Sequence, residues 1–144
     1  MFPRKVIVLC TAFLLSLTGI ARAEVAVDVK AAIAGYSALY GLPESLVHRI
    51  VKRESKYNPK AYHRGHWGLM QIRYDTARSM GYRGKPKGLL DVDANLKYGV
   101  KYLAGAYLVA GGNANTAARY YRSGYYYIAK RKGLLEETGL RRKR

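Results

Sequence analysis

The segment PESLVHRIVKRES, residues 43–55, decides how this chain is expected to fold. Its apolar side chains recur with the spacing of a single helical face, at Leu46, Val47, Ile50 and Val51. Pro43 suits the first position of a helix, where a missing N–H costs nothing, and Glu44 suits the positive end of the helix dipole. The segment therefore predicts an amphipathic helix that begins at Pro43 and buries one face.

Glu54 is a charged residue that continues this apolar face. It follows Ile50 by four positions and Val51 by three, so its side chain is expected to point toward the interior. A carboxylate is almost never buried without a partner or a use. From the residues alone, two interpretations stay open. One is a structural ion pair with one of the many arginines. The other is a proton donor that burial and the negative end of the helix dipole keep uncharged.

The remaining sequence predicts helices and little else, so the expected fold class is all-α, a single domain of about six helices. The other helices are expected over residues 24–40, 75–80, 93–110, 113–123 and 125–132. Asp93 is the expected N-cap of the long helix, and Asn113 or Asn115 is the expected N-cap of the fifth. Residues 82–92, which combine Gly, Pro and basic side chains, predict a loop.

The N-terminal residues predict an export signal. A basic start, Arg4-Lys5, precedes an apolar run over residues 6–20, and Ala21-Arg22-Ala23 fits the small-x-small rule for signal peptidase. The run is shorter than the roughly 20 residues that span a membrane. Residues 1–23 are therefore expected to be cleaved, which leaves no stable membrane anchor and places the protein in the periplasm or cell envelope. A retained anchor is the alternative.

The charge of the chain indicates an anionic partner. Its 144 residues carry 26 Lys+Arg against 9 Asp+Glu, a formal net charge of +17. Export puts nucleic acid out of ordinary reach, which leaves cell-wall polymer, with free carboxylates on its peptides, and anionic membrane surface. The body of the domain is expected over residues 24–133, followed by a basic C-terminal tail over residues 134–144.

Four motifs follow one another in the middle of the chain. They are Glu54-Ser55 after the apolar helical face, Gly68-Leu69-Met70-Gln71-Ile72, Asn95-Leu96 with Gly99 and Tyr102-Leu103, and Tyr121 with Ser123-Gly124. In this order they resemble the catalytic domain of the soluble lytic transglycosylases, a branch of the lysozyme-like fold. The resemblance covers about residues 40–130 and implies a lysozyme-like domain with a substrate cleft.

The resemblance also implies a reaction, the cleavage of the β-1,4 bond between N-acetylmuramic acid and N-acetylglucosamine in peptidoglycan. Glu54 would protonate the leaving oxygen and then, as a carboxylate, take the proton of the muramoyl 6-hydroxyl, which attacks its own C1 and closes a 1,6-anhydro ring. An internal nucleophile gains from proximity and needs no second carboxylate. A hydrolysing muramidase is the close alternative. A non-catalytic peptidoglycan-binding or envelope-assembly protein that keeps the fold is the alternative from another class.

By resemblance, nine residues are expected to form the substrate site around the acid: Ser55, His63, Trp67, Gly68, Met70, Gln71, Asn95, Tyr121 and Arg122. Of these, Asn95 is expected to orient a helix start or a cleft loop rather than to take part in the chemistry. Gly68 is expected to let the backbone approach a sugar closely. The hydroxyl of Tyr121 is expected to bond either the Glu54 carboxylate or the muramoyl N-acetyl group. Tyr102, in contrast, is expected to pack in the core.

Two of these positions depart from the family pattern. Arg122 stands where the family has Asn, and His63 replaces a customary Ser. The planar guanidinium of Arg122 could bind a peptide carboxylate instead. His63 and His66, with no Cys and no third His near them, make a poor zinc site. No metal and no cofactor is therefore expected, and a monomer is the default expectation because the sequence has no heptad pattern.

Overall fold

The computed structural model describes residues 29–141, and most of this part of the chain is helical. Its elements, in chain order, are α1 (residues 29–39), α2 (Glu44–Ser55), β1 (Tyr62–His63), β2 (His66–Trp67), β3 (Ile72–Arg73), α3 (Tyr74–Ser79), a 3-10 helix (Pro86–Leu90), α4 (Val92–Val109), α5 (Ala114–Ser123) and α6 (Tyr126–Arg131). The predicted all-α class with six helices is confirmed. The predicted export signal lies outside the described residues. None of the described helices is both long and apolar enough to cross a membrane.

Helix α2 forms as its sequence predicts. Its four apolar side chains are buried in the main core, where they pack with residues of α1, α4 and α5 such as Ile33, Leu103 and Ala117. Pro43 is the N-cap and not the first helical residue. The helix ends at Ser55 because Lys56 adopts a left-handed conformation, with φ 51°, that turns the backbone out of the helix. The end of α2 therefore lies at the edge of the core.

Helix α4 is capped by Asp91, and the prediction of Asp93 as its cap is wrong. The Asp91 side chain accepts a 2.9 Å hydrogen bond from the backbone N–H of Ala94. The 3-10 helix that ends at Leu90 leaves Asp91 in the extended conformation that an N-cap needs. Asp93 lies in the first turn, where its carboxylate accepts a hydrogen bond from the Tyr36 hydroxyl of α1.

A small antiparallel sheet, which the sequence did not predict, follows α2. Its three strands pair in chain order, with Trp67 opposite both Tyr62 and Ile72. Each strand is two residues long, too short for an alternation of apolar and polar residues to be visible. The sheet holds the loop between β2 and β3 beside the end of α2.

The segment after α6 packs onto the domain, so the boundary expected at residue 133 is wrong. Leu135 and Thr138 are buried, and Leu135 belongs to a second hydrophobic cluster with Val109 of α4 and Ala129 of α6. Apolar residues interspersed among the charges account for this packing, which the basic composition of the segment obscures. Residues 142–144 lie outside the described chain.

Candidate active site

A cleft of about 330 Å³ opens at the C-terminal end of α2. Four parts of the chain line it: Glu54 of α2, a run from the sheet into α3 (His66, Gln71, Ile72, Arg73 and Thr76), Tyr102 of α4, and Tyr121-Arg122-Ser123-Gly124 at the end of α5. Of the predicted site residues, the cleft thus brings together Glu54, Gln71, Tyr121 and Arg122.

Glu54 lies on the cleft wall, held by its neighbour in the chain. Arg53 Nη2 lies 2.7 Å from Glu54 Oε1, and Arg53 Nε donates to the same oxygen at 2.9 Å. The Glu54 side chain is 24% exposed, so the expectation that it points into the interior is wrong. The last buried residue of α2 is Val51, and Glu54 and Ser55 in its last turn are only partly buried. Within the described chain, Glu54 is the only carboxylic acid that lines the cleft.

Tyr121 forms the wall beside Glu54. Its buried hydroxyl donates a 2.8 Å hydrogen bond to the backbone carbonyl of Met70, and not to Glu54 as one expectation had it. Burial raises the pKa of Tyr121 well above its ordinary value, and the nearby Glu54 carboxylate raises it further. The hydroxyl therefore stays protonated and keeps its bond to Met70 at neutral pH.

Asn95 supports the cleft from inside the protein and does not line it. Its buried amide donates to the carbonyls of Trp67 and Leu89, both at 2.7 Å, and its oxygen accepts from the N–H of Met70 at 2.8 Å. Gly68 has φ +68°, and a Cβ atom there would lie 2.6 Å from the Leu89 carbonyl oxygen. Close packing inside the protein thus requires a glycine at this position.

Met70, predicted as a substrate contact, is fully buried. Its side chain belongs to the main core, where it lies against Gly99 of α4. Only its backbone serves the cleft, as the acceptor for Tyr121 and the donor to Asn95. The motif that it belongs to therefore combines a core residue with a cleft residue, Gln71.

Gln71 is fixed in the cleft by its own loop. Its backbone adopts φ 48°, unusual for a residue with a side chain. Its amide nitrogen donates to the carbonyls of Ala61 at 3.1 Å and Gly68 at 3.0 Å. These two bonds use both amide hydrogens, so the polar atom that Gln71 has left for a ligand is the acceptor oxygen Oε1.

The remaining predicted contacts lie outside the cleft lining. The Ser55 hydroxyl donates to a backbone carbonyl of its own helix. Trp67 packs against Tyr62, with ring centroids 4.4 Å apart. His63 is exposed on β1, and its backbone carbonyl lies 3.1 Å from Nδ1 of His66, the histidine that does line the cleft. The hairpin pairs His63 with His66, and of these two partners only His66 lines the cleft.

Sequence reasoning missed several cleft residues besides His66. Arg73 directly follows the Gly-Leu-Met-Gln-Ile motif. Tyr102 belongs to the motif that begins at Asn95, but its expected place is the core. Tyr102 is partly buried, and its ring meets that of Tyr121 edge-on, with centroids 5.5 Å apart.

Among residues 29–141, no cluster of three or more His, Cys, Asp or Glu side chains could hold a metal ion.

The model of one protein family, the transglycosylase SLT domain, matches residues 31–138. The chain belongs to this family. The match confirms the resemblance to lytic transglycosylases and includes the packed segment after α6. A curated relative, the membrane-bound lytic murein transglycosylase C of Edwardsiella ictaluri (strain 93-146), is 40% identical over an alignment of 96 residues. The alignment covers 59% of this SLT chain and 26% of the relative. The chain thus spans about a quarter of that relative's length. No solved structure gives a significant match.

Proposed function

We propose that this SLT domain is an exported lytic transglycosylase of the cell envelope that cleaves the β-1,4 bond between N-acetylmuramic acid and N-acetylglucosamine in peptidoglycan. The observation that carries the proposal is Glu54, the single carboxylic acid lining the cleft of the described chain. Family membership and the murein transglycosylase relative support the substrate. The envelope location follows from that substrate and from the predicted signal over residues 1–23.

Glu54 acts first as an acid and then as a base. Both contacts with Arg53 engage Oε1, which leaves Oε2 to donate its proton to the glycosidic oxygen. As the bond to C1 of the muramoyl residue breaks, the same residue's 6-hydroxyl attacks C1. Glu54, now a carboxylate, accepts the hydroxyl proton and is restored to its acid form. The products are a free N-acetylglucosamine 4-hydroxyl and a 1,6-anhydromuramoyl end, and no water is consumed.

A single acid in the cleft favours this route over the two-carboxylate hydrolyses. Hydrolysis by either common route uses a second carboxylate, to activate water or to form a covalent adduct. An internal hydroxyl needs neither, because its attachment to the same sugar supplies proximity. The supporting residues have matching roles: Tyr121 and Asn95 fix the loop that carries Gln71, and the Gln71 Oε1 oxygen can accept a hydrogen bond from a sugar or acetamido group.

Incubation with purified peptidoglycan tests the proposal. The released muropeptides should be one water lighter than muramidase products by mass spectrometry, and Glu54→Gln should slow their release by about two to four orders of magnitude. Glu44→Gln, which removes an exposed carboxylate from the first turn of the same helix, is the matched control and should retain activity. Products with reducing ends would instead indicate hydrolysis. Binding without any release would favour the non-catalytic alternative.

A further inference from the structure

Two arginines line the cleft from different elements. Arg73 is the residue directly before α3, and Arg122 lies in the last turn of α5. Both are exposed to solvent. Within residues 29–141, neither guanidinium forms a salt bridge, whereas Arg53 is paired with Glu54. Because Glu54 already has a partner, its charge does not compensate Arg73 or Arg122.

The geometry points to a carboxylate on the peptide of the glycan strand as the ligand of Arg122 and Arg73. This inference rests on the proposed function and specifies which strands the cleft prefers. The sugar ring at the scissile bond offers no charge to these guanidinium groups, whereas the peptides of the cell-wall polymer carry free carboxylates. A guanidinium binds a carboxylate through two parallel hydrogen bonds. Two guanidinium groups in the lining of one cleft favour an anionic branch of the ligand over a neutral one.

Other arginines of the domain have structural roles, because their guanidinium groups donate hydrogen bonds within the protein. Arg49 donates to the Asn115 side chain at 2.8 Å and to the Ala114 carbonyl at 2.7 Å, which ties α2 to α5. Arg83 donates to two backbone carbonyls around the end of α3. Arg73 and Arg122 form no hydrogen bond of this kind within the described chain, and both line the cleft. Their charge is therefore available to a ligand.

Calorimetric titration with soluble tetrasaccharides tests the inference separately from turnover. The protein carries Glu54→Gln so that it does not cut the ligand, and three ligands are compared. The first carries its peptides, the second has its peptide carboxylates converted to neutral methylamides, and the third has lost its peptides to an amidase, which exposes the lactyl carboxylate. The peptide-bearing ligand should bind about tenfold tighter than the methylamide.

Arg122→Gln or Arg73→Gln should reduce this preference to about threefold or less. Arg119→Gln removes the same charge from α5 outside the cleft lining and should leave the preference unchanged. Equal affinities for the peptide-bearing and methylamide ligands would overturn the inference. An equal loss of the preference in Arg122→Gln, Arg73→Gln and Arg119→Gln would also overturn it. Equally tight binding of the amidase-treated ligand would exclude the peptide as the source of the carboxylate. Because the titration measures binding and not cleavage, these results can be interpreted even if the proposed cleavage does not occur.

Discussion

Met70 is held from both sides through its backbone, in a way that joins three elements at the cleft. Its N–H donates to Asn95 of α4 and its carbonyl accepts from Tyr121 of α5, each at 2.8 Å. Gln71, the next residue, is thereby fixed relative to both helices. The strained backbone of Gln71, with φ 48°, persists because these surrounding bonds determine it.

Asn95→Ala should destabilise the domain more than most single substitutions. The change removes the Asn95 partner from two buried backbone groups, the Leu89 carbonyl and the Met70 N–H, and from the partly buried carbonyl of Trp67. With roughly 1–3 kcal/mol for each unsatisfied group, the free energy of unfolding should fall by about 3 kcal/mol or more in urea denaturation. Ser45→Ala, at an exposed position of α2, is the control. A loss below about 1 kcal/mol would show that water or a loop shift replaces these bonds.

The sequence could locate the acid of the site but not all of its surroundings. Glu54 is revealed by its place at the end of an apolar helical face. His66, in contrast, lines the cleft and His63 does not, a difference that the sequence does not show because both lie in strands of only two residues. Motif membership also does not separate contact from support: Asn95 and Gln71 belong to motifs of the same family, and only Gln71 lines the cleft.

At the scale of elements, the start of α4 offers a direct test of a cap. Asp91→Ala removes the acceptor for the Ala94 N–H and should lower the free energy of unfolding by about 1 kcal/mol. Asp91→Asn keeps an oxygen at the same position and should cost only a few tenths of a kcal/mol. Urea denaturation of both variants gives the comparison. If Asn destabilised the domain as much as Ala does, the charge of Asp91 and not its capping bond would be responsible.

The helices were predictable because each buries a stripe of side chains, and a stripe leaves its period in the sequence. The predicted α4, α5 and α6 agree with the structure to within one residue at each end. The short elements left no such period, as the strands and the 3-10 helix at Pro86–Leu90 show. The loop predicted over residues 82–92 includes Asp91 for the same reason, since the 3-10 helix that positions Asp91 as a cap leaves no period in the sequence.

At the scale of the whole molecule, tyrosines pack into every part of the hydrophobic core. Six of them have a raised pKa: Tyr36, Tyr40, Tyr82, Tyr102, Tyr121 and Tyr125. Burial is the largest cause in each case, because it disfavours the charged phenolate. For Tyr36, burial and the hydrogen bond to Asp93 raise the pKa to about 12. The folded domain therefore retains phenolic protons that the unfolded chain loses.

This difference should make the domain lose stability in alkaline solution. An unfolded tyrosine titrates near pH 10, so above about pH 10 the folded state binds more protons and the free energy of unfolding falls as pH rises. The contribution is complete below about pH 10 and is lost through the folded pKa values, about 12 for Tyr36. Each tyrosine adds a slope of at most about 1.4 kcal/mol per pH unit. Lysine deprotonation relieves repulsion between positive charges in the same range, and added salt screens that opposing contribution.

Urea denaturation across this pH range in high salt should show that the free energy of unfolding falls as pH rises. Tyr36→Phe should reduce the slope of this fall by about one proton. Tyr127→Phe, at a side chain 72% exposed, should leave the slope unchanged. A free energy of unfolding that stays constant up to pH 12 would mean that these phenols ionise alike in the folded and unfolded chains.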